Sequence, residues 1–257
     1  MTRPTVALAW ALLAICAAPM MASVVATYEP AGVQWPDQTA LCAGTSTCVL
    51  GTETFDSWYG GSFSFTTAPN PAGEITMSYS GGFQSYGADD YGGAGGTGRY
   101  PEIFSSGGSY TLNLSVSGTL PGVNYFGLWF SALDAGNLLQ FYDGSTLVYS
   151  FAPADFITLV GACGGSNPFC GNPNNPSEDS GEQFAFLNFF DTDGYITAIV
   201  FSESGGGGFE SDNHTVGYLD PIHSSGTLIY TPEPGSFGLL LIAAAAMAFR
   251  FRRRRSW

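Results

Sequence analysis

Short runs of alternating polarity fill the middle of the chain. In YTLNLSVS, Tyr110, Leu112, Leu114 and Val116 fall on one face and Thr111, Asn113, Ser115 and Ser117 on the other. That period of two belongs to a strand with one face buried. The runs SFSFTT (62–67), EITMSYS (74–80), NYFGLWFSA (124–132), NLLQFYDGSTLVYSF (137–151), FAFLNFF (184–190) and YITAIVFS (195–202) are equally short and rich in β-branched or aromatic residues. Asp143-Gly144 divides one of them into a hairpin, since this dipeptide tolerates the positive φ angles of a two-residue turn. Glycine and proline punctuate the rest, and no stretch of the body keeps a helical period. About nine to twelve strands in about 200 residues predict an all-β chain, folded as an antiparallel β-sandwich of jelly-roll type. Residues 81–98, with eight glycines, read as a mobile loop. Residues 163–182 read as a polar insertion that a disulfide keeps compact.

The two ends break this pattern. Arg3, the apolar run 6–18 and the small residues beyond it fit a secretory signal peptide over 1–26, cleaved after Ala22 or Ala26. The run is too short to span a bilayer. At the other end, residues 236–249 are uncharged and mostly apolar, and Arg250, Arg252, Arg253, Arg254 and Arg255 follow. As a helix the run covers about 21 Å against a hydrocarbon core of about 30 Å, and snorkelling arginines recover part of the difference. This predicts one transmembrane helix over about 236–251, with the arginines as a cytoplasmic stop and the body across the membrane. Pro232-Glu233-Pro234 stands immediately before it, and two prolines hold that tripeptide extended, the form a protease accepts.

The ordered trio of Pro232-Glu233-Pro234, short apolar helix and arginine cluster resembles the PEP-CTERM sorting signal of Gram-negative bacteria that make extracellular polysaccharide. The resemblance covers 232–257 and implies recognition by a membrane-embedded exosortase, which cuts near 232–234 and discards the helix. It further implies transient residence in the inner membrane, then delivery to the cell surface or to the exopolysaccharide matrix of a biofilm. YFGLWFSALDAGNLLQFYDG (125–144) and GFESDNHTVG (208–217) are similar to segments that recur in exosortase-dependent surface proteins with a sandwich body.

Composition narrows the body, 27–231, further. Its only base is Arg99, it has no lysine, and with 20 acidic residues it carries about −19. Such a surface repels nucleic acid and anionic lipid, and it attracts divalent cations. The chain's 20 Phe, 13 Tyr and 5 Trp supply enough apolar area to fold it. Apart from Cys16 in the signal, the cysteines form two close pairs, Cys42/Cys48 and Cys163/Cys170. An exported chain with an even count predicts disulfides; three connectivities are open and pairing within each loop is preferred. Neither pair has zinc spacing or a neighbouring histidine.

Chemistry is sparse. The histidines are His214 and His223, both near the end of the body and both expected at the surface flanking strands, and no GxSxG or HExxH arrangement occurs. Paired carboxylates are too abundant to single out any pair. No catalytic residue is therefore nominated, and the body reads as non-enzymatic. Asp191-Thr192-Asp193-Gly194 opens like an EF-hand loop but lacks the later ligands, so it reads as a turn. The polar run FESDN (209–213) follows four glycines and reads as a loop. It aims Glu210, Asp212 and Asn213 at a candidate calcium ion, with Asp56 joining from another strand, against the simpler reading of a solvated loop. Trp35, Trp58, Tyr59, Tyr86 and Tyr91 sit beside glycines, where an aromatic ring either stacks on sugar or belongs to the core. Three functions follow in order: an exported surface or matrix protein, a calcium-dependent carbohydrate-binding module, and a secreted hydrolase.

Overall fold

The computed structural model describes residues 24–229 except 105, 176 and 206. Almost the whole predicted signal and all of the predicted membrane segment 236–251 therefore lie outside the described residues. So do Pro232, Glu233, Pro234, Arg250, Arg252, Arg253, Arg254 and Arg255. Among the described residues no helix is long and apolar enough to cross a membrane.

The strands are β1 (Val24–Tyr28), β2 (Thr47–Glu53), β3 (Phe63–Thr66), β4 (Ile75–Gly81), β5 (Gln84–Gly87), β6 (Arg99–Glu102) and β7 (Ser109–Val116), then β8 (Tyr125–Ser131), β9 (Asn137–Asp143) and β10 (Thr146–Phe151), and finally β11 (Ala185–Asp191), β12 (Ala198–Glu203), β13 (Glu210–Asp220) and β14 (Thr227–Ile229). They form two antiparallel sheets. One runs β14-β1-β11-β8-β13-β6-β5, with β2 also paired to β13; the other runs β10-β9-β12-β7-β4-β3. The predicted β-sandwich is borne out, with fourteen strands among the described residues.

Alternation produces the second sheet as expected. In β7, Tyr110, Leu112 and Leu114 are buried while Asn113 and Ser115 are exposed. Their partners inside the sandwich include Phe126, Phe141, Leu187, Ile199 and Phe201, all fully buried. The centre of the first sheet departs from alternation, because every residue of β8 and β11 is buried. Its outer face is roofed by loops, and Trp129, Phe184 and Phe186 form a second apolar layer there with Ala94 and Val33. A strand covered on both faces has no solvent side on which to place polar residues.

The glycine-rich segment belongs to that roof, which corrects the expectation of a mobile loop. It contains the edge strand β5, and the Ala94 amide donates to Asp212 Oδ2 at 2.8 Å. Two helices also escaped the pattern. In α1 (Gln38–Cys42), Asp37 Oδ1 accepts the Ala40 amide at 2.9 Å as an N-cap. In α2 (Pro153–Val160), Pro153 starts the helix and Phe156 is its buried anchor, edge-on to Tyr28 and Phe169. Disulfides join Cys42 to Cys48 and Cys163 to Cys170, the local pairing that was preferred.

The topology gives the sandwich two distinct ends. Strand β1 lies antiparallel between β11 and β14, with Val24 opposite Asp191 and Ala26 opposite Ile229. The chain thus enters through β1 and leaves through β14 at one end, called the base here. The 191–194 turn and the C-terminal end of β13 share it, since Tyr125 faces both Phe190 and Gly217. Glu210, opposite Ser131, marks the far end.

Candidate functional site

The run ESDNHT is the start of a central strand rather than a loop. β13 pairs with β8 on one side and with β6 and β2 on the other. Glu210, Ser211, Asp212, Asn213, His214 and Thr215 are all buried. A register shift between Asp212 and Thr215 absorbs an irregular step in which Asn213 takes φ +51°, a conformation asparagine tolerates well. Ser211 and His214 thereby both face the core, while Glu210 and Asp212 face the roof.

The surface role expected for His214 is overturned. Its ring is fully buried among Phe55, Tyr79, Phe126 and Phe201. Ser211 Oγ lies 2.9 Å from Nε2 and the Tyr79 hydroxyl 3.1 Å from Nδ1. Burial pushes the imidazole down to about 3, so it is neutral and serves as a hydrogen-bonded link between the sheets. Ser211 and His214 are sealed at 0 % exposure, so this serine–histidine pair meets no substrate. His223 is exposed, as expected.

On the roof side, Glu210 stands directly across from Glu102 in β6. Two carboxylates so placed repel each other, and the pair is buried. Burial, with Glu102 and Asp134 nearby, pushes Glu210 up to about 10. Burial and Asp89 push Glu102 up to about 7, opposed by its hydrogen bond to Glu210. At neutral pH, Glu210 therefore keeps its proton and donates it to Glu102. Gly208, at φ +118°, is required beside them, because a Cβ there would overlap Glu210 Oε1. Glu102 went unnoticed in the sequence because only the β6–β13 pairing makes it a neighbour of Glu210.

Asp212 sits in a different field. Its Oδ2 accepts the Ala94 amide and its Oδ1 the Asn213 amide at 2.7 Å. Burial pushes it up to about 8, with Asp56 and Glu53 adding to the rise. Asp56 is exposed and accepts the Thr54 hydroxyl, and Asn213 Nδ2 donates to the Gln34 carbonyl at 2.7 Å. The four calcium candidates thus divide: Asp212 and Asp56 share one neighbourhood, and Glu210 belongs with Glu102 and Asp134. Among the described residues no group of three or more His, Cys, Asp or Glu is placed to hold a metal ion.

The nominated aromatics divide as well. Trp58 is core, stacked between Phe63 and Phe83. Trp35, Tyr59 and Tyr91 are exposed, and the Arg99 guanidinium lies 4.6 Å above the Tyr59 ring. Tyr86, half-buried on the edge strand β5, stacks at 26° on Phe104, which is 67 % exposed and was not foreseen.

The described residues form an all-β sandwich whose last described strand, β14, precedes the Pro-Glu-Pro tripeptide in the chain. Residues 231–255 match the family model described as the PEP-CTERM protein-sorting motif, so the chain carries that motif behind its sandwich. No curated protein and no solved structure matches the chain. The motif indicates exosortase-dependent sorting of an exported protein to the envelope or surface of a Gram-negative bacterium.

Proposed function

We propose that this is a non-enzymatic surface or matrix protein, held transiently in the inner membrane by its tail, cut by an exosortase near Pro232, Glu233 and Pro234, and released into the exopolysaccharide of a biofilm. The sorting motif carries this reading, and its position supports it. Strand β14 covers Thr227–Ile229 and the matched segment begins at 231, so a cut within Pro-Glu-Pro leaves every strand among the described residues in place. The disulfides suit an oxidising compartment outside the cytoplasm. The signal is cut after Ala22 rather than Ala26 in this reading. A cut after Ala26 removes Val24, Val25 and Ala26, and with them the partners of Asp191, Phe190, Phe189 and Ile229.

Mass spectrometry of the protein released by its own cells tests the scheme. The expected product starts before Val24 and has no peptide beyond Pro234. Released protein that still carries Arg252, Arg253, Arg254 and Arg255 overturns it. A second reading, a carbohydrate-binding module, is favoured by the stacked Tyr86–Phe104 pair. An open aromatic face suits the apolar side of a sugar ring, and the acidic body favours a neutral polymer over an anionic one.

A further inference from the structure

The base of the sandwich holds a cavity of about 450 Å³ between the turn that follows β11 and the end of β13. Asp191, Asp193, Asp220, Asn124, Tyr195 and Tyr218 are among its lining residues. Its size is that of a small-molecule site. Asp191 is rigidly placed. Its Oδ1 accepts the amides of Asp193 at 3.2 Å and Gly194 at 2.9 Å, which closes the turn read from the sequence. Its Oδ2 has no hydrogen-bond partner although the residue is only 1 % exposed. An acceptor buried without a donor is costly, and a lining residue that bears one calls for a ligand.

Three of the lining residues, Asp191, Asp193 and Asp220, are acidic, which favours a cationic donor. Asp143 and Asp193 lie close enough to push Asp191 further up after burial has raised it, so the field at this end is negative. The body's single base, Arg99, is engaged with Ser85 at the β5 edge through bonds of 2.7 and 2.9 Å and offers no counter-charge. Asn124 is oriented toward Leu219, to whose carbonyl its amide nitrogen donates and from whose amide its oxygen accepts, both at 2.9 Å. A metal ion needs several oxygens converging on one point, and the described residues hold no such group of three. An ammonium group requires fewer: it brings three donors and one charge, and phenol rings attract cations.

We propose that this cavity binds a small molecule bearing a primary ammonium group, which donates to Asp191 Oδ2 beside Asp193 while Tyr195 and Tyr218 flank its carbon body. The site is independent of the sorting scheme, and neither stands or falls with the other.

The test is calorimetric titration of the full chain in detergent with glucosamine, its uncharged counterpart N-acetylglucosamine, and calcium. Glucosamine is expected to bind, and N-acetylglucosamine at least tenfold more weakly, because acetylation removes the charge. Asp191→Asn keeps an oxygen for the two turn amides but loses the charge, and is expected to weaken glucosamine at least tenfold. Asp193→Asn, at an exposed position that leaves the fold undisturbed, is expected to weaken it about threefold, in line with loss of a nearby charge. Equal binding of the two sugars, no binding of glucosamine, displacement of glucosamine by calcium at equal concentration, or wild-type affinity in both variants would overturn the proposal.

Discussion

Replacing Glu210 by glutamine is expected to flatten the dependence of this protein's stability on pH. In the fold the Glu210 carboxyl is pushed up to about 10, chiefly by burial and then by Glu102 and Asp134. In the unfolded chain it titrates near the ordinary value of about 4.3. Between those values the native state holds a proton that the unfolded state has released, so stability must fall as pH rises. Each pH unit costs about 1.4 kcal/mol per proton, hence about 4 kcal/mol from roughly pH 5 to pH 8. That is a large part of the 5–15 kcal/mol typical of a domain. Glu102 and Asp212, raised to about 7 and about 8, act in the same direction.

The assay is urea unfolding of the released protein across roughly that pH range, for wild type and Glu210→Gln. Glutamine cannot ionise, yet its amide can donate to Glu102 as the protonated carboxyl does. The two proteins should agree within about 1 kcal/mol near pH 5, with the variant ahead by up to about 4 kcal/mol near pH 8. Parallel slopes, or a wild type most stable above pH 8, would refute the reasoning, because either means that Glu210 is ionised in the fold.

Three further outcomes are expected. Changing Arg252, Arg253, Arg254 and Arg255 to Ser should lower retention before cleavage, visible in cell fractionation as uncut protein away from the inner membrane. Removing the Cys163–Cys170 bridge by double alanine substitution should cost about 2.5 kcal/mol from the entropy of closing its short loop, measured by denaturant titration. Phe104→Ala should leave stability within about 0.5 kcal/mol, as for most exposed positions, while reducing retention on neutral polysaccharide columns severalfold.

Legibility in the sequence followed the physics of exposure. Strand β7 could be read because one face meets solvent, so its polar residues mark the period. Strands β8 and β11 kept their length and aromatic content but lost alternation, since the loop roof buries both faces. Helix α2 is eight residues long and carries a single fully buried apolar anchor, Phe156, too little for a period to emerge. The largest misreading was FESDN (209–213), whose polar residues after four glycines suggested a loop. Burying them depends on partners remote in the chain: Glu102 for Glu210, Ala94 for Asp212, Gln34 for Asn213 and Tyr79 for His214. No local pattern encodes those partners, whereas the sorting motif at 231–255, whose signal is local composition and order, was readable.

In the proposed scheme, the pairing of β1 with β14 decides what the molecule presents while still attached. Because the two strands are antiparallel neighbours, the start of β1 and the end of β14 lie together at the base. The opposite end, which that scheme turns away from the membrane, carries Phe104, which follows Ile103 where that residue bonds Phe209 just before Glu210. A sandwich held at its base presents this aromatic edge outward before and after the tail is cut, so cleavage changes where the protein can diffuse without changing what it presents. The base, which holds the cavity at Asp191, is in that scheme the end nearest the tail. In that scheme the two ends meet different surroundings, because the register of three residue pairs between β1 and β14 puts both chain exits at one of them.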